Sequence, residues 1–172
     1  MSITIIEIKA RCNKQDKVRN ILIEENADYK GKDHQIDTYF NVRNGRLKLR
    51  EGEIENNLIH YERSNQKGPK QSSVLLYKSS PNSSLKGVLE KSNGILVIVD
   101  KEREIYFIDN IKFHIDTVKD LGDFIEIEAI DENGSIGRTK LLQQCQDYLK
   151  KFAVVEKDLV ECSYSDLLLE KA

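Results

Sequence analysis

Period-two alternation runs through much of the chain, with one face of each segment apolar and the other charged. In residues 4–11, Ile6, Ile8 and Ala10 share one face, and Glu7, Lys9 and Arg11 share the other. Leu47 and Leu49 oppose Arg46, Lys48 and Arg50; Phe113 and Ile115 oppose His114 and Asp116; Ile125, Ile127 and Ala129 oppose Glu126 and Glu128. Residues 100–104 carry charge on both faces, Lys101 and Arg103 alternating with Asp100, Glu102 and Glu104. Helical spacing is rarer. It predicts helices over 14–26 (Val18, Ile21, Leu22), from Pro81-Asn82 to Asn93-Gly94 (Leu85, Val88, Leu89), and over 138–152. The third is the strongest, with Leu141, Leu142, Cys145, Tyr148, Leu149 and Phe152 in one stripe. A last short helix starts with Ser163 as N-cap and Asp166 in its first turn. Asn44-Gly45 between two strand-like runs marks a hairpin, Leu121-Gly122-Asp123 marks a turn, and the polar stretch 64–73 with Gly68-Pro69 reads as a loop. About eight strands in mostly consecutive hairpins, with few helices, predict an α+β fold: a closed antiparallel barrel with helices packed outside.

Any one charged face could be the wet side of an ordinary antiparallel sheet. Four such faces together imply more. If the sheet closes with its apolar faces turned out to the helices, the charged faces line a tunnel. Unpaired buried charges cost several kcal/mol each, on the order of the penalties known for isolated ions. The tunnel must therefore hold water, ions or a charged ligand. Lys9, Arg11, Lys48, Arg50, Lys101 and Arg103, set against Glu7, Asp116, Glu126 and Glu128, suit an anion with several phosphates. Carboxylates beside such an anion require divalent metal between them, Mg²⁺ or Mn²⁺ by the hardness of the oxygen ligands. Glu126 and Glu128, at i and i+2 on one strand, are the sharpest metal pair.

Composition narrows the classes. The 172 residues include 27 basic and 29 acidic ones, a formal charge of −2, which argues against nucleic-acid binding. No run reaches the roughly 20 apolar residues of a membrane span, and the N-terminal stretch lacks the basic and apolar regions of a signal peptide. Cys12, Cys145 and Cys162 are odd in number and lack C-x-x-C spacing, so free buried thiols in a reducing cytoplasm are expected. Of the three histidines, only His114 has a nearby acid in strand spacing, Asp116, and it is read as structural or substrate-orienting. Lys78, on a strand-like run from Val74, is a weaker phosphate candidate, and the adjacent Glu62 and Arg63 cannot both face inward.

The motifs Ile6-Glu7-Ile8-Lys9-Ala10-Arg11, Asp37-Thr38-Tyr39-Phe40, Gly45-Arg46-Leu47-Lys48-Leu49-Arg50-Glu51 and Tyr61-Glu62-Arg63 form one set. The run from Val99 to Glu128 and the tail Ser163-Tyr164-Ser165-Asp166-Leu167-Leu168 complete it. Together they resemble the CYTH superfamily of triphosphate-tunnel enzymes, and most of all its class IV adenylyl cyclase-like (CyaB-type) branch. The resemblance covers nearly the whole chain and implies a single domain over residues 1–172, an eight-stranded triphosphate tunnel and a cytoplasmic enzyme dependent on Mg²⁺ or Mn²⁺. It implies conversion of ATP to cyclic AMP and pyrophosphate, with inorganic or thiamine triphosphatase activity, or polyphosphate or nucleotide binding without catalysis, as alternatives. Carried over by position, Lys9, Lys48, Arg50, Lys78, Lys101 and Arg103 would bind substrate. Glu7, Glu126 and Glu128 would bind metal, and Glu7, Lys9 and Asp116 would serve catalysis. ATP or another triphosphate is then the partner, with no nucleic acid or membrane, and a homodimer is compatible. One departure stands out: the first Glu of the family's E-x-E-x-K strand is Ile5 here.

Overall fold

The computed structural model describes residues 2–172. Eight strands close into an antiparallel barrel in the order β1-β5-β4-β3-β2-β6-β7-β8. They are β1 (Ile3–Arg11), β2 (Asp28–Phe40), β3 (Arg46–Glu51), β4 (Asn57–Glu62), β5 (Lys70–Lys78), β6 (Ile95–Ile108), β7 (Ile111–Val118) and β8 (Gly122–Asp131). Four helices accompany them: α1 (Gln15–Glu24), α2 (Leu85–Asn93), α3 (Arg138–Lys151) and α4 (Tyr164–Lys171). The closed α+β barrel expected from the alternation is the observed architecture.

The apolar outward faces of β1, β7 and β8 meet α1 and α3. Ile6, Ile8, Ile115, Ile125 and Ile127 pack with Val18, Leu22, Leu141, Cys145 and Phe152 in one core. Burial of this kind stabilises by about 25 cal/mol per Å² of apolar surface removed from water. Helical cover is partial elsewhere: α2 has no buried residue, and Leu75 and Tyr77 on the outer face of β5 are exposed.

A second cluster lies at one end of the barrel, where Val160, Cys162 and Tyr164 pack on Tyr39, Val99, Val118 and Phe124. The C-terminal segment is tied there by a bond from the Val160 N–H to the Lys9 carbonyl at 2.9 Å. The Lys70 ammonium donates to the Val160 carbonyl at 3.1 Å. The last helix forms as its first turn predicts: Ser163 and Asp166 make both bonds of a capping box. Arg46 clamps that turn, donating to Asp166 and to the Ser163 hydroxyl, both at 2.8 Å.

Two elements differ from the sequence reading. The loop expected over 64–73 ends earlier, because β5 begins at Lys70 and its residues through Val74 pair with β1. β2 is far longer than the Asp37–Phe40 motif suggested. Asp33 and Gln35 face inward on it, so its sequence lacks the apolar alternation of a sheet with one wet face. Of the three cysteines, Cys145 and Cys162 are buried, whereas Cys12, expected to be buried, is only partly so. Among the described residues, no helix is long and apolar enough to cross a membrane.

Candidate active site

Inward parity collects the charged side chains in one cavity of about 130 Å³ inside the barrel. Seven cations line it: Lys9, Lys48, Arg50, Arg63, Lys101, Arg103 and Lys112. Five carboxylates join them, Glu7, Asp37, Glu55, Glu126 and Glu128, leaving a surplus of positive charge. The C-terminal segment fills one end through Ser163 and Tyr164. At the other end, Leu76 lines the cavity and is still 50% exposed, which marks the mouth.

Antiparallel register builds the charge pairs. Arg50 faces Asp37 across β3 and β2, Arg103 faces Asp116 across β6 and β7, and Lys9 faces Glu126 across β1 and β8. The Asp37 carboxylate accepts two bonds from Arg50, at 2.8 and 2.9 Å, and one from Lys101 at 2.7 Å. Lys48 lies 3.3 Å from it. Burial alone would raise the Asp37 carboxyl, but Arg50, Lys101 and Lys48 outweigh it and hold the group well below the usual carboxylate range. Burial pushes the Lys101 ammonium down to about 7 against the pull of Asp37.

Arg103 makes a two-pronged pair with Asp116, both bonds 2.7 Å. The Tyr164 hydroxyl donates to the same carboxylate at 2.7 Å, and the Lys9 ammonium sits 4.0 Å from the Tyr164 ring centroid. Burial opposes the Arg103 charge, yet Asp116 and Glu126 keep the guanidinium charged throughout the accessible range.

The Glu126 pair continues into a metal-competent cluster. His114 Nδ1 lies 3.3 Å from Glu126 and 3.8 Å from Glu128. One ligand atom from each of His114, Glu126 and Glu128 falls within 4.8 Å of the other two. Burial, with Arg103 nearby, lowers the His114 imidazole and keeps it neutral, the form that binds metal. Burial would raise the Glu126 carboxyl, but Lys9, Arg103 and His114 hold it well below the ordinary value. Glu7 stands directly opposite Glu128 in register and pairs with the Arg63 guanidinium. Two carboxylates and an imidazole, with a third carboxylate facing them, fit a hard or borderline divalent cation.

Two buried donors on the cavity wall, Arg63 Nε and Ser72 Oγ, have no partner among the described residues. A buried unpaired polar group costs about 1–3 kcal/mol.

The structure gathers Glu7, Lys9, Lys48, Arg50, Lys101, Arg103, Glu126 and Glu128 around this cavity. Three expected roles shift. Lys78 is exposed at the end of β5 and does not line the cavity, because the strand runs out past the mouth. Asp116 shares the inward parity of Lys112 and His114 but is fully buried against Arg103 and Tyr164 and is not among the residues that line the cavity. His114 turns toward Glu126 and Glu128, not toward Asp116, because β7 and β8 bring Glu126 directly across from it. Arg11, grouped with the inward charges, is exposed, with its guanidinium 4.9 Å from the Phe124 ring. The Glu62–Arg63 alternative resolves in favour of Arg63, which lines the cavity and pairs with Glu7 while Glu62 is exposed. Lys112 and Glu55 were missed. Lys112 shares inward parity with His114 and Asp116, a signal that was present; Glu55 lies in a loop, where no parity operates.

Known structures share this architecture. The PH1012 protein from Pyrococcus horikoshii OT3 is 21% identical, with a TM-score of 0.78 over 97% of this chain and 99% of that one. A Vibrio parahaemolyticus protein provisionally named an adenylate cyclase is 19% identical, with a TM-score of 0.76 over 96% of this chain and 97% of that one. The Hippeastrum protein HpAC1, which has a dominant triphosphatase activity, is 13% identical, with a TM-score of 0.61 over 99% of this chain and 95% of that one. At these identities the likeness is one of fold. No curated protein matches the chain. The CYTH domain model matches residues 4–164, and the chain therefore belongs to the CYTH family.

Proposed function

We propose that the protein is a metal-dependent triphosphatase that holds a triphosphate chain inside the barrel and hydrolyses its terminal phosphate. The observation that carries this reading is the cavity itself: seven inward cations, two of its buried donors unpartnered, and a carboxylate–imidazole cluster on one wall. Its volume of about 130 Å³ is well below the roughly 300 Å³ at which pockets for whole organic ligands begin. A phosphate chain fits such a space, and a nucleoside would remain at the mouth. Cyclisation needs the ribose hydroxyl aligned with the α-phosphorus inside the site, whereas hydrolysis needs only the phosphate chain there.

In this reading Arg50, Lys48 and Lys101 bind non-bridging oxygens from one wall and Arg103 and Lys9 from another. Asp37 and Asp116 fix the orientation of the two guanidiniums, so little reorganisation is needed as charge develops. Glu126, Glu128 and His114 would hold a divalent cation, with Glu7 facing them. Such a cation polarises phosphoryl oxygens and lowers the pKa of a bound water. The closed C-terminal end excludes bulk water from the cationic cluster, which strengthens its hold on the anion.

The test is incubation with inorganic triphosphate, thiamine triphosphate and ATP in Mg²⁺ or Mn²⁺, with products separated by chromatography. Metal-dependent orthophosphate release supports the proposal. Cyclic AMP and pyrophosphate from ATP would replace it with the cyclase chemistry suggested by the motifs. Binding with no product from any of the three would leave a binding module.

A further inference from the structure

Among the five carboxylates that line the cavity, four are on strands and one, Glu55, is on the β3–β4 connection. That connection lies at the end of the barrel away from α4, since Arg46 at the opposite end of β3 holds the α4 cap. Its backbone is fixed. The Asp33 carboxylate accepts the N–H groups of Glu53, Ile54 and Glu55 at 2.7, 3.0 and 3.0 Å. Gly52 runs so close to Asp33 that a Cβ there would meet a carboxylate oxygen at 2.6 Å. From this rigid turn the Glu55 side chain, 18% exposed, reaches into the mouth. It pairs with Lys112 and with Arg50 and accepts a bond from Gln35 at 2.8 Å. Burial would raise its carboxyl, but Arg50 and Lys112 outweigh that and keep it ionised.

Arg50 is thus shared between two internal anions, Asp37 deep in the barrel and Glu55 at the mouth. They are not equivalent. Asp37 is almost fully buried on a strand and held by three cations, whereas Glu55 is partly solvated on a loop and held by two. A ligand entering at the mouth must displace Glu55 from Arg50 and Lys112. A single phosphate gains about the contacts that Glu55 loses. A triphosphate pays that cost once and also engages Lys48, Lys101, Arg103 and Lys9 further in. Discrimination of this kind comes from a repulsive or competing element, not from added attraction.

We propose that Glu55 is a built-in competing anion at the tunnel mouth, which keeps single phosphates off Arg50 and Lys112 and thereby makes the site selective for triphosphate over orthophosphate. The role rests on the reading that the barrel binds triphosphates, and it assigns selectivity to a residue on a loop.

The experiment is isothermal titration of the metal-free protein with inorganic triphosphate, pyrophosphate and orthophosphate, for wild type, Glu55→Gln and Glu55→Ala. Melting temperatures are recorded for all three proteins. The expected result is tighter orthophosphate binding in both variants, by tenfold or more, and a smaller gain for triphosphate, so that the selectivity ratio falls. An unchanged ratio, or weaker binding of every anion in folded variants, overturns the competitor role and makes Glu55 a support for Lys112 and Arg50. If Glu55→Ala fails to fold, the isosteric Glu55→Gln decides by the same criteria. Wild-type protein that binds no triphosphate overturns the reading of the site itself, a different failure from an unchanged ratio.

Discussion

Asp37 is the carboxylate on which the basic wall depends, and Asp37→Asn removes its charge with almost no change of shape. Lys101, 2.7 Å away, and Lys48, 3.3 Å away, lose their carboxylate partner, and Arg50, 2.8 Å away, keeps only Glu55. Removing one member of a buried ion pair costs about 3–5 kcal/mol, because the remaining charge stays buried and uncompensated. One relief is available. Lys101, already pushed down to about 7, can shed its proton. The loss is therefore largest at pH 6, where all three cations are charged, and smaller at pH 8. For a chain of 172 residues, about 1 kcal/mol corresponds to roughly 2–4 °C, so a fall in Tm of about 6–20 °C is expected at pH 6. Inorganic triphosphate should reverse the effect by supplying the missing negative charge. A ligand at a hundred times its Kd stabilises by about 2.7 kcal/mol, and the variant should gain more than wild type because its cations are less compensated before the ligand binds. The assay is differential scanning fluorimetry at both pH values with and without triphosphate. A variant as stable as wild type, or one gaining no more than wild type from triphosphate, would refute the view that Asp37 balances the buried charge of the basic wall.

Further outcomes follow from the same geometry. Glu126→Gln and Glu128→Gln should each abolish metal-dependent turnover while leaving metal-free triphosphate binding intact or tighter; loss of that binding in both would show that the residues act through folding. Ile5 lines the cavity on the same face as Glu7 and Lys9, so Ile5→Glu should add a Mn²⁺ equivalent by titration at a cost on the order of 1–3 kcal/mol, and unchanged stoichiometry in a folded variant would exclude the missing-ligand explanation. Because Lys101 titrates near 7 when folded but near 10.5 when unfolded, the folded state binds fewer protons between those values and its stability contribution from this group rises with pH across that window. Bound triphosphate raises the Lys101 pKa again, so binding at pH 8 should take up protons and weaken as pH rises above 7. Titration in two buffers of different ionisation heat measures that uptake, and Lys101→Arg should remove most of it; equal uptake in both proteins would contradict the assignment.

Most of the barrel was legible because parity is strict along a strand: once Ile6 and Ile8 face the helices, Glu7 and Lys9 must face the interior. Lys48, Arg50, Glu126 and Glu128 followed by the same rule, whereas residues 100–104 are charged on both faces and alternation alone does not choose Arg103. The α4 cap was legible because Ser163 and Asp166 act locally. What escaped reading depends on contacts between distant segments. Gln35 and Asp33 face a charged interior, so β2 never shows apolar alternation. His114 meets Glu126 only because the register of β7 on β8 places them opposite, which spacing within one strand cannot show. Glu55 reaches the cavity through a loop shaped by Asp33, 22 residues earlier in sequence. Asp116 faces the interior by parity, but its bonds to Arg103 and Tyr164, which cover it, come from other segments.

The most direct measurement is a crystal structure of the protein with Mn²⁺ and a non-hydrolysable triphosphate analogue, with data collected at the manganese edge. The expected result is an anomalous peak between Glu126, Glu128 and His114, with the phosphate chain inside the barrel against Arg50, Lys101 and Arg103 and the organic group outside the mouth. A triphosphate bound on the outer surface, or a tunnel still closed by its own ion pairs at saturating ligand, would contradict the assignment of the barrel interior as the site.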